Sequence, residues 1–215
     1  MTQVSSQQVL DAGLNDWRQL AQGLHARFLT GNFSAGLRFV EAVAEAAEAA
    51  NHHPDVTLTY PYVDLQLISH DVSAVTKRDV DLARAISDIA REQQIEAKPE
   101  ALAQLELALD TAQLAAAGRF WAALLTGDAD AVKGDDVADP NGRVPLLWFQ
   151  HTEAHETPRQ RFHIDLWVPH DVAEQRIQAA VAAGGTVVDA EQAPSFVVLA
   201  DGEGNRVCVC TVLDR

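Results

Sequence analysis

The chain is 215 residues long, enough for one large or two small domains on the usual scale of roughly 100–200 residues each. Its apolar share of 47% and charged share of 22% are those of a folded protein, which excludes disordered, collagen-like and coiled-coil compositions. With 16 Lys and Arg against 31 Asp and Glu the net charge is −15, and no basic cluster offsets it, so a polyphosphate is repelled and nucleic acid is excluded as a partner.

No apolar run approaches the roughly 18 residues that span a bilayer, and the N-terminus has neither a basic stretch nor an apolar stretch of the signal-peptide kind. The expectation is a cytoplasmic protein with no membrane partner. Cys208 and Cys210 stand two apart in Val-Cys-Val-Cys, where a strand puts them on one face about 7 Å apart, too far for a relaxed disulfide. They read as a reduced pair.

In chain order, a small N-terminal helix precedes two short strands around Trp17–Leu20 and Leu24–Leu29. From Phe33 to Asn51 the residues Leu37, Val40, Val43, Ala44 and Ala47 recur at helical spacing in an Ala- and Glu-rich background. Thr57 to Ser69 reads as a strand because Val63, Leu65 and Leu67 alternate with Asp64 and Gln66, and Pro61 marks an edge, bulge or break. A second helix runs from Thr76 to Gln94. The polar stretch from Arg91 to Pro99 ends this half, giving domains at 1–97 and 101–215.

The second half repeats a unit. Strand Leu105–Leu109, helix Ala112–Leu125, a turn at Asp139–Arg143 and strand Leu146–Phe149 are followed by strand Phe162–Val168, helix Val172–Ala183, a turn at Asp201–Arg206 and strand Val207–Val212. The span from Asp110 to the first turn is 29 residues and that from His170 to the second is 31. The fold class is therefore α+β, with an N-terminal antiparallel sheet carrying helices on one face and a C-terminal pair of βαβββ modules.

The chemistry concentrates in one window: Glu48, His52-His53-Pro54, Tyr60, His70 and Asp79. Glu48 and His52 are one helical turn apart, so the carboxylate is expected to reach and orient that imidazole. Pro54 turns His53 away from the helix, so the two rings diverge. Three histidines and a glutamate also form a zinc-capable set, the rival reading of the same residues.

The spacing of an acid, three residues, His-His-Pro, five residues, an aromatic, nine residues, His and a nearby Asp resembles that of the pterin-4a-carbinolamine dehydratases. The resemblance covers about residues 14–94 and includes Trp17, Phe28, Phe33 and the run Thr76–Ala83. It departs where Asp71–Val75 replaces a frequent glycine pair and where Val56 replaces a frequent tryptophan. It implies a hydro-lyase of tetrahydrobiopterin metabolism that removes water from a 4a-hydroxytetrahydropterin to give quinonoid dihydropterin. It implies His52 and His70 as the acid/base pair, His53 binding or orienting the pterin, and Glu48, Pro54, Tyr60 and Asp79 in binding or orienting roles. No metal and no cofactor are implied, and the chain is expected to be a homodimer or higher homo-oligomer. Histidine suits both proton steps, since its ordinary pKa lies near 6.5. A non-catalytic dimerisation or regulatory protein is the alternative of another class, since animal relatives are also transcription-factor partners.

The second half resembles glyoxalase-like, or vicinal oxygen chelate, domains. His163 stands where such domains place a first-strand ligand, but the remaining ligand positions fall on Ala103, a residue near Pro145, and Cys208. One ligand of four does not hold a metal, so this half reads as a binding domain, with His163 paired to Asp165 or backbone. A metal-dependent lyase or dioxygenase is its alternative. Trp121, Trp148, Trp167 and Phe196 read as core, and His25, His151, His155 and His170 as surface side chains.

Overall fold

The computed structural model describes residues 2–126, 128–139, 142, 144–154, 162–182, 185–200 and 206–215. The chain divides into two compact units, Met1–Ala103 with Val168–Val172 and Thr211–Arg215, and Gln104–Trp167 with Ala173–Cys210.

The first unit runs α1 (Ser6–Asp11), β1 (Arg18–Leu20), β2 (Gly23–Leu29), α2 (Phe33–Ala50), β3 (Asp55–Leu58), β4 (Val63–Leu67), α3 (Lys77–Glu92) and β5 (Glu96–Ala97). The strands form an antiparallel sheet in the order β1-β2-β4-β3, with β5 paired to the end of β2. Strand alternation gives the sheet one apolar face: Leu24, Ala26 and Phe28 of β2 and Val63, Leu65 and Leu67 of β4 are buried. Against it lie Phe39, Val43 and Ala47 of α2 and Val80, Ala83, Ile86 and Ala90 of α3. Phe28 sits at the centre, its ring 5.0 Å from Phe39 and 6.2 Å from Trp17. Gly36 lets α2 approach β3, since a Cβ there would meet Leu58 Cδ1 at 2.5 Å.

The stretch read as one strand from Thr57 to Ser69 is a hairpin. Asp55–Leu58 pairs antiparallel with Val63–Gln66, and Thr59 N–H donates to the Tyr62 carbonyl at 3.0 Å across the turn. Pro61 has no N–H to give a ladder and sits in the connection, so the period-2 pattern belongs to β4 alone. His25, read as a surface residue, is half-buried. It lies on the polar face of the sheet with Arg27, Asp64 and Gln66, where Arg27 pairs with both Asp64 oxygens at 2.7 and 2.6 Å.

The second unit contains β6 (Gln104–Thr111), α4 (Leu114–Thr126), β7 (Val132–Lys133), β8 (Asp136–Val137) and β9 (Leu146–His151), then β10 (Phe162–Trp167), α5 (Ala173–Ala182), β11 (Thr186–Asp189), β12 (Phe196–Ala200) and β13 (Arg206–Cys210). These are two βαβββ modules in one sheet of order β11-β12-β13-β10-β6-β9-β8-β7. Within each module the first and last strands are parallel, and β6 and β10 join the modules antiparallel. Leu109, Leu147 and Phe149 turn to the face covered by α4 and pack with Ala122 and Val137. Neither cysteine is in a disulfide. Pro140, Asn141 and Arg143 of the first expected turn, residues 201–205 of the second, His155 and Arg161 lie outside the described residues.

Replacing Phe28 with Ala removes the ring against which Phe39 and Trp17 pack. The expected loss is about 3–5 kcal/mol, read as a lower urea midpoint at an unchanged slope for the transition of the first unit.

Candidate functional site

Helix α2 ends at Asn51, whose backbone is left-handed (φ 47°, ψ 42°). Asparagine tolerates that conformation better than other non-glycine residues, and the turn lets the His52 N–H bond back to the Ala47 carbonyl at 3.1 Å. His52 is thereby folded inward and is 8% exposed, whereas His53 stays on the outside.

The inward ring meets a carboxylate. His52 Nε2 is 2.7 Å from Asp79 Oδ1, and Asp79 is fully buried in the first turn of α3. Its other oxygen, Oδ2, accepts from the Ser69 hydroxyl at 2.6 Å, the Thr76 N–H at 2.7 Å and the Thr76 hydroxyl at 3.1 Å. The same group thus completes the capping box of α3 and holds His52. With three donors already on Oδ2, the other oxygen of Asp79 is placed to accept a hydrogen from Nε2 of His52, which leaves Nδ1 as the ring nitrogen not engaged by this carboxylate.

The expected Glu48–His52 pair does not form. Glu48 Oε1 lies 3.2 Å from Nε2 of His53, and both side chains are exposed. The i,i+4 rule applies only while the chain remains helical, and Asn51 has already turned it.

The β3/β4 register puts His70 at the same end of the hairpin as the other two histidines. Asp55 is opposite Gln66, so the residues before Asp55 and those after Gln66 leave the hairpin together. His70 follows Ser69, whose hydroxyl is on Asp79, and it opens a short turn closed by the Ser69–Ala74 bridge. Its side chain is exposed, and among the described residues nothing hydrogen-bonds its ring. An Asp71–Arg78 ion pair ties that turn to α3, and the Arg78 guanidinium holds the Asp71 carboxyl below its ordinary range. Pro54 is half-buried beside the histidines. Tyr60 is 69% exposed at the opposite tip of the hairpin, and it is the site residue the single chain does not bring to the histidines, being a strand length of roughly 15 Å away. Ser69 and Thr76 were missed in the sequence. Only the Thr-x-x-Asp capping spacing pointed to Thr76.

In the second unit a polar row crosses the sheet face opposite α4. Trp167 Nε1–H donates to Glu106 at 2.8 Å and Trp148 Nε1–H to Asp165 at 3.0 Å. His163 lies 3.4 Å from Asp165 and 3.7 Å from Asp110. The Asp165 contact, reinforced by both negative charges, raises the imidazole pKa above its ordinary value. Ala103, one of the expected family ligand positions, precedes β6 rather than lying on it.

One end of the β3/β4 hairpin thus carries a buried carboxylate–imidazole pair and two exposed imidazoles. Residues 1–89 match the family model described as pterin 4 alpha carbinolamine dehydratase, and residues 106–210 match that of the glyoxalase-like domain. Two relatives carry the name "Putative pterin-4-alpha-carbinolamine dehydratase". That from Thermosynechococcus vestitus is 37% identical over 37% of this chain and 83% of its own, and that from Nocardia farcinica 37% over 41% and 95%. A crystal structure of a transcriptional coactivator/pterin dehydratase from Brucella melitensis is 27% identical, with a TM-score of 0.40 over 41% of this chain and 99% of that one. The chain belongs to the pterin-4a-carbinolamine dehydratase family and carries a glyoxalase-like domain at its C-terminus. Among the described residues no helix is long and apolar enough to cross a membrane.

Asp79→Ala leaves the Ser69 hydroxyl, the Thr76 N–H and His52 without their acceptor. The expected destabilisation is about 3 kcal/mol in urea unfolding, with Asp79→Asn losing less because one oxygen remains. Ring-nitrogen NMR shifts are expected to report Nε2–H of His52 in the wild type and a mixture of tautomers in Asp79→Ala.

Proposed function

We propose that the N-terminal domain, residues 1–97, dehydrates a 4a-hydroxytetrahydropterin to the quinonoid dihydropterin. The observation that carries this reading is the arrangement of His52, anchored on buried Asp79, at the same end of the β3/β4 hairpin as the unpartnered ring of His70. In the reaction the C4a–O bond breaks and the hydroxyl leaves as water, taking a proton from an acid. A ring N–H gives its proton to a base, and its electron pair forms the new double bond toward C4a. One proton enters and one leaves, so two histidines in opposite protonation states suffice.

His52 and His70 are the acid/base pair. Asp79 keeps the Nε2–H tautomer of His52, while the ring of His70 is free to turn and exchange protons with solvent between cycles. His53 binds or orients the pterin with Pro54, and Glu48 steadies His53 from outside. Tyr60 contributes to binding from the hairpin tip of a neighbouring copy, which makes the protein a homodimer or higher homo-oligomer. Phe33 and Leu37, one turn apart on α2 and 51% and 45% exposed, supply apolar surface for such contact. Residues 101–215 form the glyoxalase-like domain, and the protein works in the cytoplasm on a small-molecule pterin.

The test is dehydration of enzymatically generated 4a-hydroxytetrahydropterin, followed by ultraviolet absorbance. Wild-type acceleration is expected to survive a chelator and to fall by about 100-fold or more in His52→Ala and in His70→Ala, the range of general acid–base catalysis. His70 is exposed, so its variant is expected to keep the wild-type urea midpoint. No acceleration by the wild type, or activity lost with the chelator, overturns the reading.

A further inference from the structure

The turn that carries His70 has little of its own to hold it. Residues 70–73 are all exposed, and the nearest buried residues are Ser69 before them and Ala74 after them. Ser69 N–H donates to the Ala74 carbonyl at 3.1 Å and Val72 N–H to the Ser69 carbonyl at 3.0 Å, which closes the base of the turn and leaves its tip unpacked. The tip bends through Ser73, whose backbone is left-handed (φ 51°). An exposed segment with no buried side chain belongs to the low end of local stability.

Asp71 supplies what packing does not. Its carboxylate pairs with the guanidinium of Arg78, and among the described residues this is the one side-chain hydrogen bond or ion pair that leaves the turn. Arg78 has no second acceptor among the described residues, and its Nε–H is buried without one, so the guanidinium is committed to Asp71. The other end of the tether is rigid, since Arg78 N–H donates to Thr76 Oγ1 at 3.2 Å in the capped first turn of α3. Arg78 and Asp79 are consecutive there. One holds the turn bearing His70, and the other holds the ring of His52 at 2.7 Å.

We infer that Arg78 is a positioning residue: through Asp71 it holds the backbone of the His70 turn at a fixed place relative to His52, so that both imidazoles reach one substrate. The inference rests on the dehydration proposed above, and it gives Arg78 no contact with the pterin. The tether acts on the backbone, and the ring of His70 keeps its rotation. Rates depend steeply on such placement, since a displacement of about 1 Å can cost roughly 100-fold. Arginine suits the task because its planar guanidinium fixes direction as well as charge, whereas lysine offers a point charge on a flexible stem.

Steady-state dehydration kinetics and backbone amide order parameters test this together. Arg78→Ala and Asp71→Ala are each expected to lower kcat by about 10-fold or more with little change in KM. The double variant is expected to be no slower than the slower single one, because both changes remove the same tether. Arg78→Lys is expected to recover part of the rate, and the exchange of Arg78→Asp with Asp71→Arg more of it, which a loss of fold would not allow. The order parameters of residues 70–73 are expected to fall from about 0.85 in the wild type to below about 0.6 in Arg78→Ala. The urea midpoint is expected to stay in place, because an exposed ion pair adds little to stability. Lys77→Ala, which breaks the neighbouring Lys77–Asp81 pair, is expected to change neither kcat nor the order parameters. A wild-type kcat in Arg78→Ala, while His52→Ala and His70→Ala are impaired, overturns the positioning role and leaves the dehydration standing. Order parameters that Arg78→Ala does not change overturn it as well, and no acceleration by the wild type overturns both readings.

Discussion

The carboxylate of Asp79 is the constraint on which the first unit depends. It has no exposure to water, and each of its oxygens is engaged, one by the imidazole of His52 and the other by three donors from Ser69 and Thr76. Those partners come from the segment after α2, the end of β4 and the start of α3. A buried anion tolerates no missing partner, so the three segments are held to one arrangement. The dipole of α3 adds to the stabilisation at the same point.

Much of this was legible in the sequence because the signals were local and periodic. Leu24–Leu29 and the Val63-Leu65-Leu67 alternation state which face is buried, and the chain obeys them, whereas of the stripe read on α2 Val43 and Ala47 are buried, Leu37 and Ala44 are exposed, and Phe39, outside the stripe, is buried in their place. The repeated half was legible because β6 and β10, α4 and α5, and β9 and β13 recur at similar spacing. Strands β7 and β8 have two residues each, too few for a period, and β11 has all four residues exposed, so no alternation exists to read. The hairpin at Pro61 was hidden because Asp55–Leu58 has no buried member, leaving only the turn chemistry as a signal.

The site was legible in its residues and not in its pairings. Spacing along the chain put Glu48 under His52, but one left-handed residue at Asn51 moves that contact to His53 and gives His52 to an acid 27 positions away. Such a partner is outside any local rule. Ser69 escaped notice for the same reason, since nothing in its neighbourhood says that its hydroxyl meets a carboxylate ten positions later.

The double duty of the capping box ties the fate of the chemistry to one turn of helix. Thr76, Asp79 and Ser69 are all without exposure, so the start of α3 is sealed and not a loose helix end. A change that weakens the cap therefore also releases the ring of His52, because one carboxylate holds both.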